Sequence, residues 1–412
     1  MKSDLDRLMK EAGIDALMVT GPAAHNPALM YFTGQSHITH ADLVKRWGED
    51  PVLYYMPMER DEAARTRLQT QDLSSYDWPA LLKEAGDDTL RAMALRYRRL
   101  LQELSVKGRV ALYGTVDIGP YFGIFEHLRE LLPEVEWVGE ADRISVLTRA
   151  RATKDEAEVD RIRQMGRTAT AVLADVQGFL ASHLAKNGFL VNRQGETLTI
   201  GEVKRRINLW LAMRGADNPE GVIFAIGRDA GVPHSTGDNN APVEVGKTIV
   251  LDLFPCEAGG GYFYDITRTW CIGHATDEVL AVYEDVRNAY TEAVHSLKPD
   301  IPCREFQIKV CQWFESKGYP TVLNHPQTQE GYVHSLAHGV GLAVHEGPTF
   351  THLGSNNDLL LAGSVVTIEP GLYYPERGFG VRLEDPVWMR PDGVPEVLAP
   401  YPMDLVLKLS GS

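Results

Sequence analysis

One short segment of the chain concentrates side chains with chemical potential. HSLAHGVGLAVHEGP, residues 334–348, holds three histidines, three glycines and a glutamate. Imidazole nitrogens ligate metals and move protons near neutral pH, while glycine lets the backbone come close to another group. The segment therefore favours a metal or proton-transfer site. A glycine-rich turn with solvated histidines is the other interpretation that this segment alone allows.

Four carboxylates stand inside apolar, strand-like runs elsewhere in the chain. They are Asp252 in TIVLDLFP, Asp265 in GYFYDITRTW, Glu369 in VVTIEPGLYY and Glu384 in GFGVRLEDPVWM. Strand alternation can point one such acid at solvent, but three of these runs are apolar on both sides of the acid. An unpaired buried carboxylate is costly, and metal coordination is the usual way to offset that cost. The sequence therefore predicts that these acids ligate metal.

A glycine-containing reversal separates the two acids of each pair. CEAGGG lies between Asp252 and Asp265, and PERGFG lies between Glu369 and Glu384, so two hairpins are predicted. With the histidine segment they would form an oxygen-rich site with at least one nitrogen ligand. That donor set suits paired Mn, Co, Zn or Fe ions rather than thiolate-bound structural zinc. Paired ions can activate a bridging water and stabilise charge on a carbonyl.

Other catalytic motifs are incomplete. VGKT at 245–248 lacks the first P-loop glycine, because Ala241 stands at that position. His345-Glu346 is not followed by the second histidine of a HExxH helix, and GVGLAV at 339 lacks the third glycine of a dinucleotide fingerprint. No GxSxG serine elbow occurs. We therefore assign no residue to an organic cofactor.

The composition is that of a globular, soluble protein. For 412 residues we expect two or three domains, and 44% hydrophobic with 24% charged residues is ordinary. A net charge of −15 argues against binding to nucleic acid or to an anionic membrane. We find neither a secretory signal nor an apolar run of about 18 residues that would span a membrane. Four cysteines without a CxxC pair are typical of reduced thiols, so we expect a cytoplasmic protein.

The first 150 residues alternate short apolar runs with amphipathic helical patterns. This alternation predicts a separate α/β domain, residues 1–150. The predicted strands lie at 15–21, 51–57 and 109–114, and the predicted helices at 2–13 and 90–104.

A second domain, residues 151–412, is predicted from a change of pattern. Thr153 followed by Glu156 is a capping-box signature, so we expect a long helix to begin at about residue 152. Helices followed by a β-rich stretch occur twice, which favours an α+β domain of two similar halves. The further helices are predicted at 201–214, 277–297 and 303–317, and the β-rich stretches at 221–272 and 332–408.

The order Asp, Asp, His, Glu, Glu with its flanking motifs resembles the pita-bread metallopeptidases: prolidase, aminopeptidase P and methionine aminopeptidase, with creatinase as a non-metal relative. The matching motifs are PHSTGD at 233, LDLFP at 251, YDITRTW at 264, HGVGLAVHEGP at 338, TIEPGLYY at 367 and GVRLED at 380. The resemblance covers most of residues 152–408. YFTGQ at 31 is similar to the creatinase/prolidase N-terminal domain. The resemblance implies an α+β pita-bread domain that is preceded by a smaller α/β domain of the creatinase/prolidase N-terminal type.

The resemblance also implies residue roles. Two divalent ions, manganese first with Co, Zn or Fe as alternatives, would be held by five ligands: Asp252, Asp265, His338, Glu369 and Glu384. Asp265 and Glu384 would bridge the ions, and Glu369 would accept the proton of the attacking water. The catalytic and substrate-binding residues outside the ligand set would be His234, His345 and Arg382. For His334, ordinary packing is the favoured interpretation, and a part in shaping the substrate pocket is the alternative.

The implied activity is hydrolysis of X-Pro peptide bonds by a metal-bridging water. Methionine aminopeptidases usually lack a domain like residues 1–150, and creatinase does not keep all five ligands, so an Xaa-Pro dipeptidase (prolidase) or Xaa-Pro aminopeptidase is favoured. Many prolidases carry an arginine shortly after the HExP segment that binds the dipeptide carboxylate, whereas this chain has Thr349 and Thr351 there. Both peptidases therefore remain open. The family also implies a homodimer.

Two other function classes remain. One is a metal-dependent hydrolase or lyase that uses the same scaffold on a small non-peptide substrate, since a fold does not determine its function. The other is a non-catalytic binding module. Such modules usually lose ligands, and here the full set is present.

Overall fold

The structure of the chain is a computed structural model, which describes residues 4–141 and 145–409. The chain forms two compact units. The first is Met1–Arg151 with Gly259–Gly261, and the second is Ala152–Ala258 with Tyr262–Ser412. Within the described ranges, no helix has both the length and the apolar character needed to cross a membrane. All four cysteines are buried and free, as the sequence predicts for reduced thiols.

The described part of the first unit contains six strands and seven α-helices. Its strands are β1 Ala16–Gly21, β2 Ala41–Arg46, β3 Val52–Tyr55, β4 Gln69–Asp72, β5 Gly108–Gly114 and β6 Val135–Val138. Its helices are α1 Leu5–Ala12, α2 Pro27–Thr33, α3 Arg60–Arg65, α4 Trp78–Glu84, α5 Thr89–Glu103, α6 Ile118–Leu131 and α7 Val146–Arg151. The predicted strands are confirmed as β1, β3 and β5, and the predicted helices as α1 and α5.

One mixed sheet organises the first unit. Its strand order is β4–β3–β2–β1–β5–β6, and β1 pairs antiparallel with β2 and parallel with β5. Successive residues of β1 enter different cores: Ala16 and Met18 pack on one face, and Leu17 and Val19 on the other. Both faces of the sheet are therefore covered, which explains why the central strand β1 is buried along its whole length.

The second unit contains the remaining elements. Its helices are α8 Glu156–Ala181, α9 Ile200–Met213, α10 Asp277–Ser296 and α11 Cys303–Ser316. Its strands are β7 Leu184–Lys186, β8 Phe189–Val191, β9 Ala216–Asp217, β10 Val222–Ile226, β11 Thr248–Leu253, β12 Cys256–Glu257, β13 Ile266–Ile272, β14 Ile301–Pro302, β15 His338–Gly339, β16 Glu346–Thr349, β17 Leu359–Leu360, β18 Val365–Ile368, β19 Gly371–Tyr374, β20 Phe379–Arg382, β21 Asp385–Met389, β22 Pro395–Val397 and β23 Val406–Leu407.

Two helix pairs each precede a mainly antiparallel sheet, in which only the pairing of β13 with β23 is parallel among the described strands. After α8 and α9 comes the sheet β10–β11–β13–β23, and after α10 and α11 comes the sheet β16–β15–β18–β21–β22. Buried residues of α10 and α11 share one core with β18 and β21. The predicted first hairpin is confirmed as the antiparallel pair of β11 and β13.

The capping box of α8 differs from the predicted one. Asp155, not Thr153, is the N-cap residue, and its carboxylate accepts from the backbone N–H of Glu158, whose side chain accepts from the N–H of Asp155. Thr153 is unavailable because it forms a β-bridge with Ser364. The prediction that the helix begins at about residue 152 with a Thr153–Glu156 box was therefore wrong by a few residues.

The second predicted hairpin is present but interrupted. Its outer part pairs Ile368 with Asp385, and its inner part, β19 with β20, pairs Gly371 with Arg382. The residues between these pairs, including Glu369 and Glu384, lie outside both ladders. Pro370 has no N–H to donate to a ladder, so the break occurs where two acids must turn away from the sheet.

Candidate metal centre

Asp252 and Asp265 are directed to the same face of the first sheet of the second unit. In the antiparallel pair, Asp252 on β11 stands opposite Thr267 on β13. Asp265 precedes Thr267 by two positions, and residues two apart share a face of a strand. Both carboxylates are buried, with exposed fractions of 8% and 4%. Local strand geometry alone thus brings two acids together inside the protein.

Glu384 joins them through Thr267, although it comes from the other half of the unit. The Glu384 N–H donates to the Thr267 carbonyl over 3.1 Å, and the Thr267 N–H donates to the Glu384 carbonyl over 3.3 Å. The Thr267 hydroxyl donates to Glu384 Oε2 over 2.6 Å. One short bridge between the two halves therefore sets the position of the third acid.

His338 points a ring nitrogen at three of the acids. Its Nε2 lies 3.5 Å from Asp265 Oδ2, 3.6 Å from Glu369 Oε1 and 4.0 Å from Glu384 Oε1. Its Nδ1 lies 3.0 Å from the Gly339 carbonyl oxygen, which can only accept, so Nδ1 carries the hydrogen. The lone pair of Nε2 is then left facing the carboxylates. Asp265, His338 and Glu384 offer ligand atoms within 4.8 Å of one another, a group that can hold a metal ion.

The electrostatics of this cluster favour a bound cation. Burial, reinforced by Asp252, raises the pKa of Glu384 to about 8. Burial and the charges of Glu384 and Asp252 raise the pKa of Asp265 well above its ordinary range. Burial also raises the pKa of Glu369 and lowers that of His338 to about 3. The imidazole is therefore neutral, which is the form that ligates metals, and the acids repel each other.

Two carboxylate oxygens in the cluster are left over. Among the residues that the structure describes, no hydrogen-bond partner is found for the buried Asp252 Oδ1 or Asp265 Oδ1. Buried acceptors without a donor are expensive, and each usually has a specific explanation. Oxygen donors beside a neutral imidazole nitrogen form a ligand set for a divalent ion such as Mn, Co, Zn or Fe. The residues present therefore fit a metal.

Arg382 supplies positive charge behind the acids. Its Nη2 donates to Asp252 Oδ2 over 2.6 Å, and its Nε donates to the Thr267 hydroxyl over 3.0 Å. Its Nη1 donates to the Pro233 carbonyl oxygen over 3.2 Å. One guanidinium cannot balance four carboxylates, so net negative charge remains for a cation. The sequence predicted Arg382 near the ligands, and the structure ties it to Asp252.

The other two predicted histidines are both exposed. The His345 ring centroid is 4.4 Å from that of His338, so the two imidazoles are neighbours across the turn between them. His234 follows Pro233, whose carbonyl is held by Arg382. Burial, Arg382 and His234 together lower the pKa of His334 to about 3, which also indicates that His234 is close. Exposed imidazoles beside a buried acid cluster are suitably placed to meet a substrate.

Comparison with known proteins identifies this arrangement. Residues 160–391 match the model of metallopeptidase family M24, and residues 2–147 match that of the creatinase/prolidase N-terminal domain. The chain belongs to metallopeptidase family M24. The resemblance inferred from the motifs is thus confirmed.

Relatives of this M24 chain include peptidases for X-Pro substrates. An Xaa-Pro dipeptidase of Pyrococcus furiosus is 33% identical over 193 residues, or 47% of this chain and 51% of that protein. The chain spans about half the length of the curated relatives it matches. The crystal structure of the prolidase from Pyrococcus horikoshii has a TM-score of 0.73 at 23% identity and covers 98% of both chains. That of the X-Pro aminopeptidase from Thermotoga maritima has a TM-score of 0.74 at 22% identity and covers 98% and 100%. These structures confirm the predicted fold.

The M24 centre includes residues that the sequence did not single out. The Tyr373 hydroxyl accepts from Arg382 Nη1 over 2.9 Å and lies 2.8 Å from His334 Nε2. His334 Nδ1 faces the Ser335 carbonyl at 2.7 Å and so carries the hydrogen, which leaves Nε2 to accept from Tyr373. His334 therefore ends a hydrogen-bonded chain rather than packing only. In the sequence, Tyr373 is marked only by its position four residues after Glu369. Thr267 is marked only by its position two residues after Asp265.

Glycines of the histidine segment allow close approach. A Cβ on Gly339 would lie 2.0 Å from the Gly347 carbonyl oxygen, and one on Gly341 would lie 2.3 Å from Glu346 Oε1. Neither glycine has a positive φ. Their small size, rather than an unusual backbone conformation, is what the M24 centre requires at these positions.

Proposed function

We propose that this chain is a two-metal peptidase that hydrolyses X-Pro bonds, as an Xaa-Pro dipeptidase or an Xaa-Pro aminopeptidase. The observation that carries the proposal is the convergence of buried carboxylates on the unprotonated Nε2 of His338, in a chain of family M24. Relatives named for X-Pro substrates support the substrate class.

The proposed ligands are the four acids and His338. Asp265 and Glu384 are assigned to bridge two ions, and Thr267 supports this because it holds Glu384 beside the strand that follows Asp265. Among the described residues, the Oδ1 atoms of Asp252 and Asp265 have no hydrogen-bond partner. This supports the proposal that both carboxylates coordinate an ion. Manganese is the first choice, with Co, Zn or Fe as alternatives, because oxygen-rich sites with one imidazole accept all four.

In this centre, divalent ions supply Lewis-acid polarisation and water activation at neutral pH. Glu369 is assigned as proton acceptor, because its Oε1 lies 3.6 Å from His338 Nε2 within the cluster, where burial raises the pKa of the carboxyl group. His345 and His234, both exposed beside the cluster, are assigned to donate hydrogen bonds to the scissile carbonyl oxygen as negative charge develops on it. Arg382 keeps Asp252 ionised and oriented, and Tyr373 with His334 completes that chain.

The structure bears on the choice between dipeptides and longer peptides. The Thr349 N–H and hydroxyl both donate to Asp358 Oδ2, over 2.8 and 3.0 Å. A neighbouring carboxylate therefore occupies Thr349, which leaves it unable to bind the carboxylate of a dipeptide. This contact supports cleavage of longer X-Pro peptides.

The test is hydrolysis of Ala-Pro and Ala-Pro-Ala by metal-free protein to which Mn, Co, Zn or Fe is added back, with Ala-Ala-Ala as the control that lacks proline. Cleavage of a proline peptide only after metal addition supports the proposal, and the preferred length distinguishes aminopeptidase from dipeptidase. If stoichiometric metal binds and none of the proline peptides is cleaved, the X-Pro assignment is wrong. Small non-peptide esters and amides would then be tried.

A further inference from the structure

We propose that Lys154 is a positioning residue for His345, acting through its buried ion pair with Glu346; the proposal rests on the catalytic role assigned to His345 above. Lys154 Nζ lies 2.6 Å from Glu346 Oε1, and the two side chains are only 2% and 1% exposed. Glu346 directly follows His345 in the chain. Neither charged residue belongs to the proposed ligand set.

A buried ion pair is a costly way to obtain stability alone. Removing two charges from water carries a penalty that a packed apolar pair would not carry, so such pairs are weak evidence for stability and are retained in some proteins to specify one arrangement. Here the arrangement specified would be the turn that carries His345.

Lys154 is fixed to the strand that leads to Glu369. Its N–H donates to the Gly363 carbonyl oxygen over 2.8 Å, and the preceding residue, Thr153, bridges to Ser364. β18 begins immediately after, at Val365, and Glu369 follows its last residue. The backbone that carries the ammonium group is therefore hydrogen-bonded to the segment that leads to Glu369.

Glu346 receives that ammonium at the far end of the histidine turn. In the β15–β16 pair Gly339 stands opposite Glu346, so the turn leaves the sheet after Gly339, the residue that follows His338, and returns at Glu346, the residue that follows His345. The pair also packs on the turn itself: a Cβ on Gly341 would lie 2.3 Å from Glu346 Oε1 and 2.8 Å from the Lys154 Cε. The ion pair thus fills the inside of the turn and fixes the separation of the two imidazoles.

The decisive variant removes both charges, because a single replacement would leave the other charge buried without this ion-pair partner. For Lys154→Met/Glu346→Gln with manganese we expect bound metal to stay at the wild-type level, KM to change little, and kcat to fall about 10- to 100-fold, as for a small misplacement of a catalytic group. The matched control is Arg214→Met/Asp175→Asn, which removes a partly exposed ion pair elsewhere in the same unit. A kcat equal to that of the control would overturn the proposal.

A double-mutant cycle with His345→Ala distinguishes a positioning role from a merely structural one. If Lys154 and Glu346 act through His345, the double replacement costs no further kcat in the His345→Ala background. If the two losses multiply instead, the pair acts elsewhere and the proposal is wrong. Should the double replacement fail to fold, Glu346→Asp keeps both charges, shortens the reach and is taken through the same cycle.

A second readout does not depend on peptidase activity. In zinc-loaded protein labelled at histidine Cε1, the His345 resonance is identified by its absence in His345→Ala. We expect this resonance to shift or broaden in Lys154→Met/Glu346→Gln and to stay unchanged in the control variant. An unchanged resonance would refute the positioning role. If the resonance shifts in the double variant but the wild-type protein cleaves no peptide, the proposed function is refuted and the positioning role is not.

Discussion

Thr267 and Glu384 lie 117 residues apart in the chain and pair through both backbone and side chain. The same Thr267 hydroxyl accepts from Arg382 Nε. For Thr267→Val, which keeps the shape and removes the hydroxyl, we expect the free energy of unfolding to fall by about 1–3 kcal/mol, because buried polar atoms lose a partner. We also expect weaker manganese binding. Urea unfolding and calorimetric titration measure both, with the exposed-helix variant Thr291→Val as control. Unaltered metal affinity would contradict the proposed role of the bridge.

Replacing Asp265 should abolish metal binding without lowering the stability of the metal-free protein. For Asp265→Asn we expect loss of bound metal and of hydrolysis, because the variant removes the carboxylate that we propose to bridge the two ions. The metal-free variant should melt no lower than metal-free wild type, since one of several mutually repelling buried acids has gone. Metal analysis and thermal melts in chelator test this, with Asp50→Asn as the exposed control. Full activity in Asp265→Asn would rule out the two-metal assignment.

His345 should affect turnover without affecting the metals. For His345→Ala we expect unchanged metal content and a kcat lower by about 100-fold, the scale of one lost donor to developing charge. His295→Ala, which removes an exposed histidine from α10, is the matched control. If kcat of the His345 variant equals that of the control, His345 is not catalytic.

His40 in the first unit should make stability depend on pH. Asp42 raises the pKa of His40, and their Nε2 and Oδ1 atoms are 3.7 Å apart; Glu59 acts in the same direction and Arg96 against it, while the Tyr121 hydroxyl faces the same ring nitrogen. A raised folded-state pKa means that the native state binds the extra proton. The stabilisation is therefore complete below the ordinary pKa of 6.5 and is lost as pH rises through the folded value.

For His40→Gln we therefore expect the melting temperature to fall further below wild type at about pH 5.5 than at about pH 8.5. Thermal melts of both proteins across that range, with His295→Gln as control, measure the difference. A difference that stays constant with pH would show that folding does not raise the pKa of His40, and one that grows toward alkaline pH would show that folding lowers it.

The sequence predicted those parts of the centre that leave a local trace. An acid inside an apolar strand, such as Asp252, is visible in a few residues because burial and charge conflict there. Thr267, Tyr373 and Lys154 leave no such trace, because each is engaged by a residue distant in sequence. The separation is 117 positions for Thr267 and Glu384, 39 for Tyr373 and His334, and 192 for Lys154 and Glu346. The capping box of α8 shows the same limit. Thr153 has the right type, but a bridge to Ser364, which no local pattern encodes, engages it.

The Thr267–Glu384 bridge also has a consequence for the order in which the protein is built. Arg382 and Asp252 are 130 residues apart, and a chain synthesised from its N-terminus exposes Asp252 and Asp265 well before Glu369 and Glu384 exist. Until the last strands close, the early acids remain hydrated and ionised. Long-range closure of this kind is slow. We therefore expect the cluster to form late in folding, so that a metal ion bound there would mark a fully folded chain.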